Sequence, residues 1–151
     1  MALKEQLQND MKAALLGGNR FEADVIRNLK AAILNEEVAK NKRDEGLADA
    51  EIERVIAREV KKRRESIALY EQNARQDLAD DEKKEVEVLE KYLPEQLSED
   101  DIRTLIDEAI KTLGATDPQM MGQVIGAVKA KAGTSADGAM VARLVKEQLN
   151  K

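Results

Sequence analysis

Apolar residues recur at helical spacing along almost the whole of this chain, and no stretch alternates apolar and polar side chains as a half-buried strand does. That period restricts the fold to the all-α class. Leu3, Leu7, Met11, Ala14 and Leu15 mark a first helix, closed by Gly17-Gly18-Asn19, residues that tolerate a left-handed cap. Val25, Ile26, Leu29, Ala32 and Ile33 mark a second, with Val38 extending the series. It dissolves in the polar turn from Asn41 to Gly46. Asp49 is the expected N-cap of a third helix over about residues 50–72. Asp77 is the expected cap of a fourth, carrying Leu78, Val86, Leu89 and Leu93.

Pro94 disfavours helix at Leu93 and ends that run. Beyond it, Ser98 is placed to cap a fifth helix, with acids in the first turn and Asp101 where a capping box has Glu or Gln. Ile102, Leu105, Ile106, Ala109 and Ile110 form its apolar stripe, and Gly114 stops it. Asp117-Pro118 opens a sixth helix as N-cap and first-turn proline, and Gly133 ends it. Asp137 caps a seventh that buries Val141, Leu144, Val145 and Leu149. The expected architecture is an N-terminal arm of about four helices over 1–93 and a small three-helix domain over 95–151.

Composition excludes several kinds of chemistry. The 151 residues contain no cysteine, histidine or tryptophan, and only Phe21, Tyr70 and Tyr92 are aromatic. A zinc site of the usual Cys/His type cannot be built, and neither an imidazole base nor a thiolate nucleophile is available. The paired carboxylates Glu36-Glu37 and Asp80-Asp81-Glu82 point about 100° apart on a helix, so they do not converge on an ion. Ser66, Ser98 and Ser135 lie outside any Gly-x-Ser-x-Gly elbow, and no phosphate-binding Gly-x-x-x-x-Gly-Lys sequence occurs. The expectation is a chain without catalytic residues, metal or cofactor. The first six residues lack a signal-peptide apolar run, and no apolar run is long enough to span a membrane. With no disulfides to form, the expected location is cytoplasmic.

The net charge of -5 argues against general attraction to nucleic acid, but the charge is uneven. Residues 94–118 hold two basic and seven acidic residues, whereas 119–151 hold five basic and two acidic ones. Any phosphate contact must use local patches. One is Arg54, Arg58, Lys61 and Lys62, opposite the apolar stripe Ile52, Val55, Ile56, Val60, Ile67 and Tyr70, with Arg64 at its edge. Within that stripe Glu59 and Arg63 are spaced i, i+4 and are expected to pair. A second patch is Arg143 and Lys146, which share a helix face, although Glu147 neighbours Arg143. Lys129 and Lys131 lie about 200° apart and do not. The sixth helix also sets Gly122, Gly126 and Ala130 beside its apolar face of Met121, Val124, Ile125 and Val128. Glycine inside a helix costs about 1 kcal/mol relative to alanine. Two readings follow: close helix packing within the domain, or backbone approach by a partner such as an RNA phosphate.

Three segments carry a resemblance: Arg27-Asn28-Leu29-Lys30-Ala31-Ala32-Ile33, the run from Glu90 through Pro94 to Ser98, and Met121-Gly122 to Leu149. Together they resemble the YqeY family along nearly the whole chain. The family's carboxyl-terminal half is similar to the tail domain of GatB, a subunit of the glutamine-dependent amidotransferase that converts misacylated tRNA. In that enzyme the tail contacts tRNA and the chemistry lies elsewhere. The resemblance therefore implies a non-catalytic, tRNA-associated adaptor with tRNA or an aminoacyl-tRNA enzyme as partner. On this reading the basic patches supply the candidate contacts, Lys129, Arg143, Lys146, Arg58, Lys61, Lys62 and Arg64, with Gly122, Gly126, Asp137 and Gly138 as positions of backbone approach or packing.

Two departures stand out. The family's Gly-Arg-Ala-Asp-Gly-Lys turn reads Ser135-Ala136-Asp137-Gly138-Ala139 here, after Gly133-Thr134, with one residue inserted and both basic residues gone. Its Ala-Gly-Arg reads Asn73-Ala74-Arg75, where Asn73 is expected to take the left-handed position. Competing readings are a protein-interaction module, using the acidic 95–117 region and the Gly/Ala stripe, and amidotransferase activity with glutamine as donor.

Overall fold

The computed structural model describes residues 2–150, and among them are seven α-helices and no strand. The chain divides into two compact units between Leu93 and Pro94. The first holds α1 (Leu3–Leu16), α2 (Arg20–Ala39), α3 (Asp49–Gln72) and α4 (Gln76–Glu90). The second holds α5 (Glu99–Leu113), α6 (Met121–Ala132) and α7 (Gly138–Leu149), with short 3₁₀ turns at Pro118–Met120 and Gly133–Ser135.

In the first unit α1 packs on α2, α3 pairs with α4, and α2 touches both α3 and α4. Leu7, Ile26, Leu29, Ile33, Ile52, Ile56 and Leu89 are fully buried at the centre. Their spacing on each helix is the expected i, i+3, i+4 stripe. Val38, expected to continue the stripe of α2, instead stands 54% exposed. The position next to it explains why: Glu37 occupies the inward place at 1% exposure. A buried carboxylate needs partners. Glu37 finds them in the Lys4 ammonium at 2.7 Å and the Leu47 N–H at 3.1 Å.

The close of α1 is the expected one, with Gly17 at the cap at φ -82 and Gly18 left-handed at φ +77. Several other caps differ from expectation. Asn19 belongs to the next helix: its side chain accepts the Glu22 N–H at 3.1 Å and donates back to the Glu22 carboxylate. Asp49 does not cap α3. It is that helix's first residue, Ala48 takes the cap position, and the Asp49 carboxylate accepts the Leu3 N–H at 3.1 Å. It thus satisfies an orphan donor of α1, forty-six residues away. Asp77 lies inside α4 with Arg75 at the cap, and the Arg75 guanidinium holds the Asp77 carboxyl below its ordinary range. The left-handed residue before α4 is Ala74 at φ +57, not Asn73 at φ -99. Asn73 is drawn into the helix end because its amide donates to the Leu69 carbonyl at 2.8 Å.

Between α3 and α4, Arg63 pairs with Glu59 at 3.7 Å, as its spacing predicts, and reaches Glu85 of α4 at 3.3 Å. Both members of the i, i+4 pair are only 16% exposed.

The second unit follows its sequence signals closely. Ser98 and Asp101 form a complete capping box, and Gly114 ends α5 in the left-handed conformation. Asp117 accepts the Gln119 N–H at 2.9 Å, although the turn it caps is 3₁₀ before α6 begins. Asp137 caps α7 by accepting the Ala139 N–H. Ile102, Ile106, Val124, Val128, Val141, Leu144 and Val145 form the core. The residues around the insertion are used structurally. The Thr134 and Ser135 carbonyls accept the Gln96 amide at 2.9 Å and the Leu97 N–H at 2.8 Å. These bonds pin the segment before α5 to the α6–α7 turn.

Candidate nucleic-acid interface

The sixth helix presents a bare face. Gly122, Gly126 and Ala130 are all exposed. A Cβ built on Gly122 or Gly126 meets no atom within 4 Å outside the helix's own backbone. Close packing within the domain, one of the two readings of this stripe, is therefore absent. The core face, Val124 and Val128, points elsewhere and is fully buried. At about 100° per residue, Lys129 falls on the same side as Gly122 and Gly126. Its side chain runs over the start of α7: a Cβ at Gly138 would lie 3.5 Å from both Cε and Nζ of Lys129. Lys129 makes no ion pair with any described residue within 4 Å. A cation beside a helix N-terminus makes a region of positive potential, tempered here by the Asp137 cap.

The neighbouring cations are more engaged than their spacing suggests. Arg143 reaches Glu147 at 3.3 Å and Glu99 at 3.4 Å. Arg103 reaches Glu99 at 3.0 Å and Glu147 at 3.2 Å. Two arginines and two glutamates thus close an electroneutral ring across α5 and α7. The Glu99–Arg103 and Arg143–Glu147 spacings, both i, i+4, were legible signals, but their convergence was not. Lys146 stays exposed and outside the ring, with no ion pair among the described residues. Lys131 turns away to Glu108 at 3.7 Å.

The α3 patch lies in the other unit. Arg58 pairs with Glu36 at 3.1 Å, Lys62 with Glu59 at 3.2 Å, and Arg64 with Glu90. Arg58, followed by Lys40, holds the Glu36 carboxyl below its ordinary range. Lys61 is exposed and makes no ion pair among the described residues. Of the seven predicted contacts, Lys61, Lys129 and Lys146 thus carry charge that no carboxylate among the described residues neutralises. Exposed pairs are worth about 0–1 kcal/mol, so a phosphate can displace them, but the free lysines meet it without that exchange. Among the described residues no group of three or more side chains is placed to hold a metal.

Residues 4–149 match the family model described as Yqey-like protein. The chain belongs to the YqeY family. Curated relatives carry one name, "Altered inheritance of mitochondria protein 41, mitochondrial". That of Clavispora lusitaniae is 32% identical over 121 residues, covering 77% of this chain and 67% of the relative. Those of Candida glabrata and Kluyveromyces lactis are 30% and 28% identical over 126 residues, covering 81% of this chain and 68% and 66% of the relatives. This YqeY-family chain spans about two thirds of the length of the relatives it matches. The expected cytoplasmic location finds no support in these names: each of the three relatives is named as a mitochondrial protein. No described helix is long and apolar enough to cross a membrane.

Proposed function

We propose that this YqeY-family chain is a non-catalytic, tRNA-associated adaptor whose carboxyl-terminal unit meets the RNA backbone along α6. The observation that carries this reading is the unpacked glycine face of α6. Gly122 and Gly126 each weaken the helix, and neither has a neighbour that needs the missing Cβ. A surface without side chains lets a bulky, charged backbone come close. Lys129, on the same side of α6 and beside the start of α7, supplies positive charge at its edge, and Lys146 adds an exposed cation on α7. The resemblance of this half to the tRNA-contacting tail of GatB supports the same reading. Without tryptophan and with few aromatics, contact would be through phosphate and shape rather than base stacking. The α3 patch, with Lys61 free, is a secondary candidate contact.

The test is a titration of labelled bulk tRNA with the full chain by fluorescence anisotropy, across a salt series and with duplex DNA as competitor. Saturable binding that survives about 150 mM salt and resists the DNA is expected. Gly126→Val should weaken it with the melting temperature unchanged, and Lys129→Glu should flatten the salt dependence. Binding that vanishes with salt, or is indifferent to both variants, would leave a protein partner as the better reading.

A further inference from the structure

Residues 54–64 hold six cations, Arg54, Arg58, Lys61, Lys62, Arg63 and Arg64, and one carboxylate, Glu59. The rest of the first unit supplies only part of the balance. Glu36 of α2 takes Arg58 at 3.1 Å, Glu85 of α4 takes Arg63 at 3.3 Å, and Glu90 of α4 takes Arg64. Arg54 and Lys61 are exposed and pair with no carboxylate among the described residues. At about 100° per residue they leave α3 within about 20° of each other. They stand about 10 Å apart along the axis, with Arg58 between them.

The paired cations of this face share their carboxylates. Glu36 also has Lys40 at 3.4 Å, and Glu59, which takes Lys62 at 3.2 Å, also has Arg63 at 3.7 Å. Arg58 and Lys62 can therefore turn to an outside anion without leaving a half-buried carboxylate bare. The acids nearby do not cancel the row. Glu51 is taken by Lys40 and Lys42. Glu53 is turned about 100° round the helix from Arg54. Asp44 and Glu45 belong to the turn before α3, where Asp44 lines a cleft with Val38, Asn41 and Arg43. Glu65 does share the face of Lys61, one turn on, and marks where the row ends.

The make-up of the face selects its partner. No large apolar side chain of α3 is exposed before Leu69, beyond the row. A protein surface or a lipid bilayer would be gripped through an apolar anchor, which is missing. A phosphodiester backbone is held by cations alone.

We infer that the outer face of α3 is a second RNA-backbone contact. Arg54, which stands outside the seven contacts expected from the sequence, and Lys61 meet phosphates directly. Arg58 and Lys62 join them by giving up shared carboxylates. This contact rests on the tRNA reading but not on the glycine face of α6, which lies in the other unit.

Titration of labelled bulk tRNA with the full chain across a salt series tests it. Arg54→Gln/Lys61→Gln removes two exposed cations that hold no described carboxylate, so the variant should melt with the parent. It should bind tRNA roughly tenfold more weakly at about 150 mM salt, with the salt slope lower by about 2. Glu65→Gln, which lengthens the row, should tighten binding. Acetylation read by mass spectrometry should find Lys61 protected when tRNA is bound. Unchanged affinity and slope in the double variant, with Lys61 equally reactive, would overturn this inference and leave the α6 contact standing. Loss in the double variant with indifference to Lys129→Glu would uphold it and remove α6 from the interface. No saturable binding by the parent would overturn both. Phosphatidylserine vesicles that bind the parent but not the double variant would also overturn it, since the occupant would then be a lipid surface.

Discussion

The Lys4 ammonium lies 2.7 Å from the Glu37 carboxylate, and that carboxylate also accepts the Leu47 N–H. One buried side chain thereby joins α1, α2 and the segment leading to α3. Gly46 completes the arrangement. Its φ of +76 suits glycine, and a Cβ there would sit 3.4 Å from Glu37 Oε2.

This pair makes stability depend on pH. The Lys4 hydrogen bond, opposed by burial and aided by the Leu47 amide, holds the Glu37 carboxyl below its ordinary value of 4.5. A carboxyl that is lower in the folded chain than in the unfolded one stabilises the fold above that ordinary value. The stabilisation fades as pH falls through the folded value. Glu37→Gln should therefore lower stability near neutral pH by about 1–3 kcal/mol. Urea unfolding should show the gap between parent and variant shrinking below about pH 4. A gap that stays constant on acidification would show that the carboxylate charge is not what stabilises this junction.

Ala74 is a strained residue at φ +57. An L-residue in the left-handed region is about 1–2 kcal/mol worse than in the right-handed one, while glycine is free to adopt it. Because glycine also gains freedom in the unfolded chain, Ala74→Gly should stabilise by only about 0.5–1 kcal/mol. The urea midpoint should rise with an unchanged slope. No rise would mean that the turn between α3 and α4 relaxes in solution.

The open space around Gly122 and Gly126 has a consequence for stability. Alanine at either place adds helix propensity and meets nothing. Each substitution should raise stability by up to about 1 kcal/mol, seen as a higher melting temperature. If the face is a contact surface, the same alanine substitutions should weaken tRNA binding while the fold becomes firmer. Destabilisation by alanine would instead reveal a packing role.

Leu144 is fully buried between the helices of the second unit. Leu144→Ala should cost about 2–5 kcal/mol by chemical denaturation. A loss under about 0.5 kcal/mol would contradict the burial of α7.

The arginine–glutamate ring ranks the cations of α7. Neutralising Arg143, which is already paired, should change tRNA affinity and its salt slope less than neutralising Lys146. Parallel titrations of Arg143→Gln and Lys146→Gln decide this. The reverse order would show that the ring opens to receive phosphate.

The helices, their order and most signals of the second unit were legible from residue order alone. A capping box such as Ser98 with Asp101, a left-handed Gly114 and the caps at Asp117 and Asp137 all close within a few residues. Their hydrogen bonds therefore hardly depend on the rest of the molecule. The Glu59–Arg63 pair was legible for the same reason. What required the tertiary structure involves partners far along the chain. Asp49 looks like a cap for its own helix and serves Leu3 instead. Val38 fits an apolar period, yet the inward place belongs to Glu37 because Lys4 and Leu47 converge there. The glycines of α6 have the spacing of a packing seam, and only the fold leaves that seam empty. Glu147 is a visible neighbour of Arg143 along α7, but only the fold brings Glu99 of α5 against it as well. Local backbone chemistry is written in neighbouring residues, whereas the burial of a charge and the exposure of a face depend on which distant helices arrive beside them.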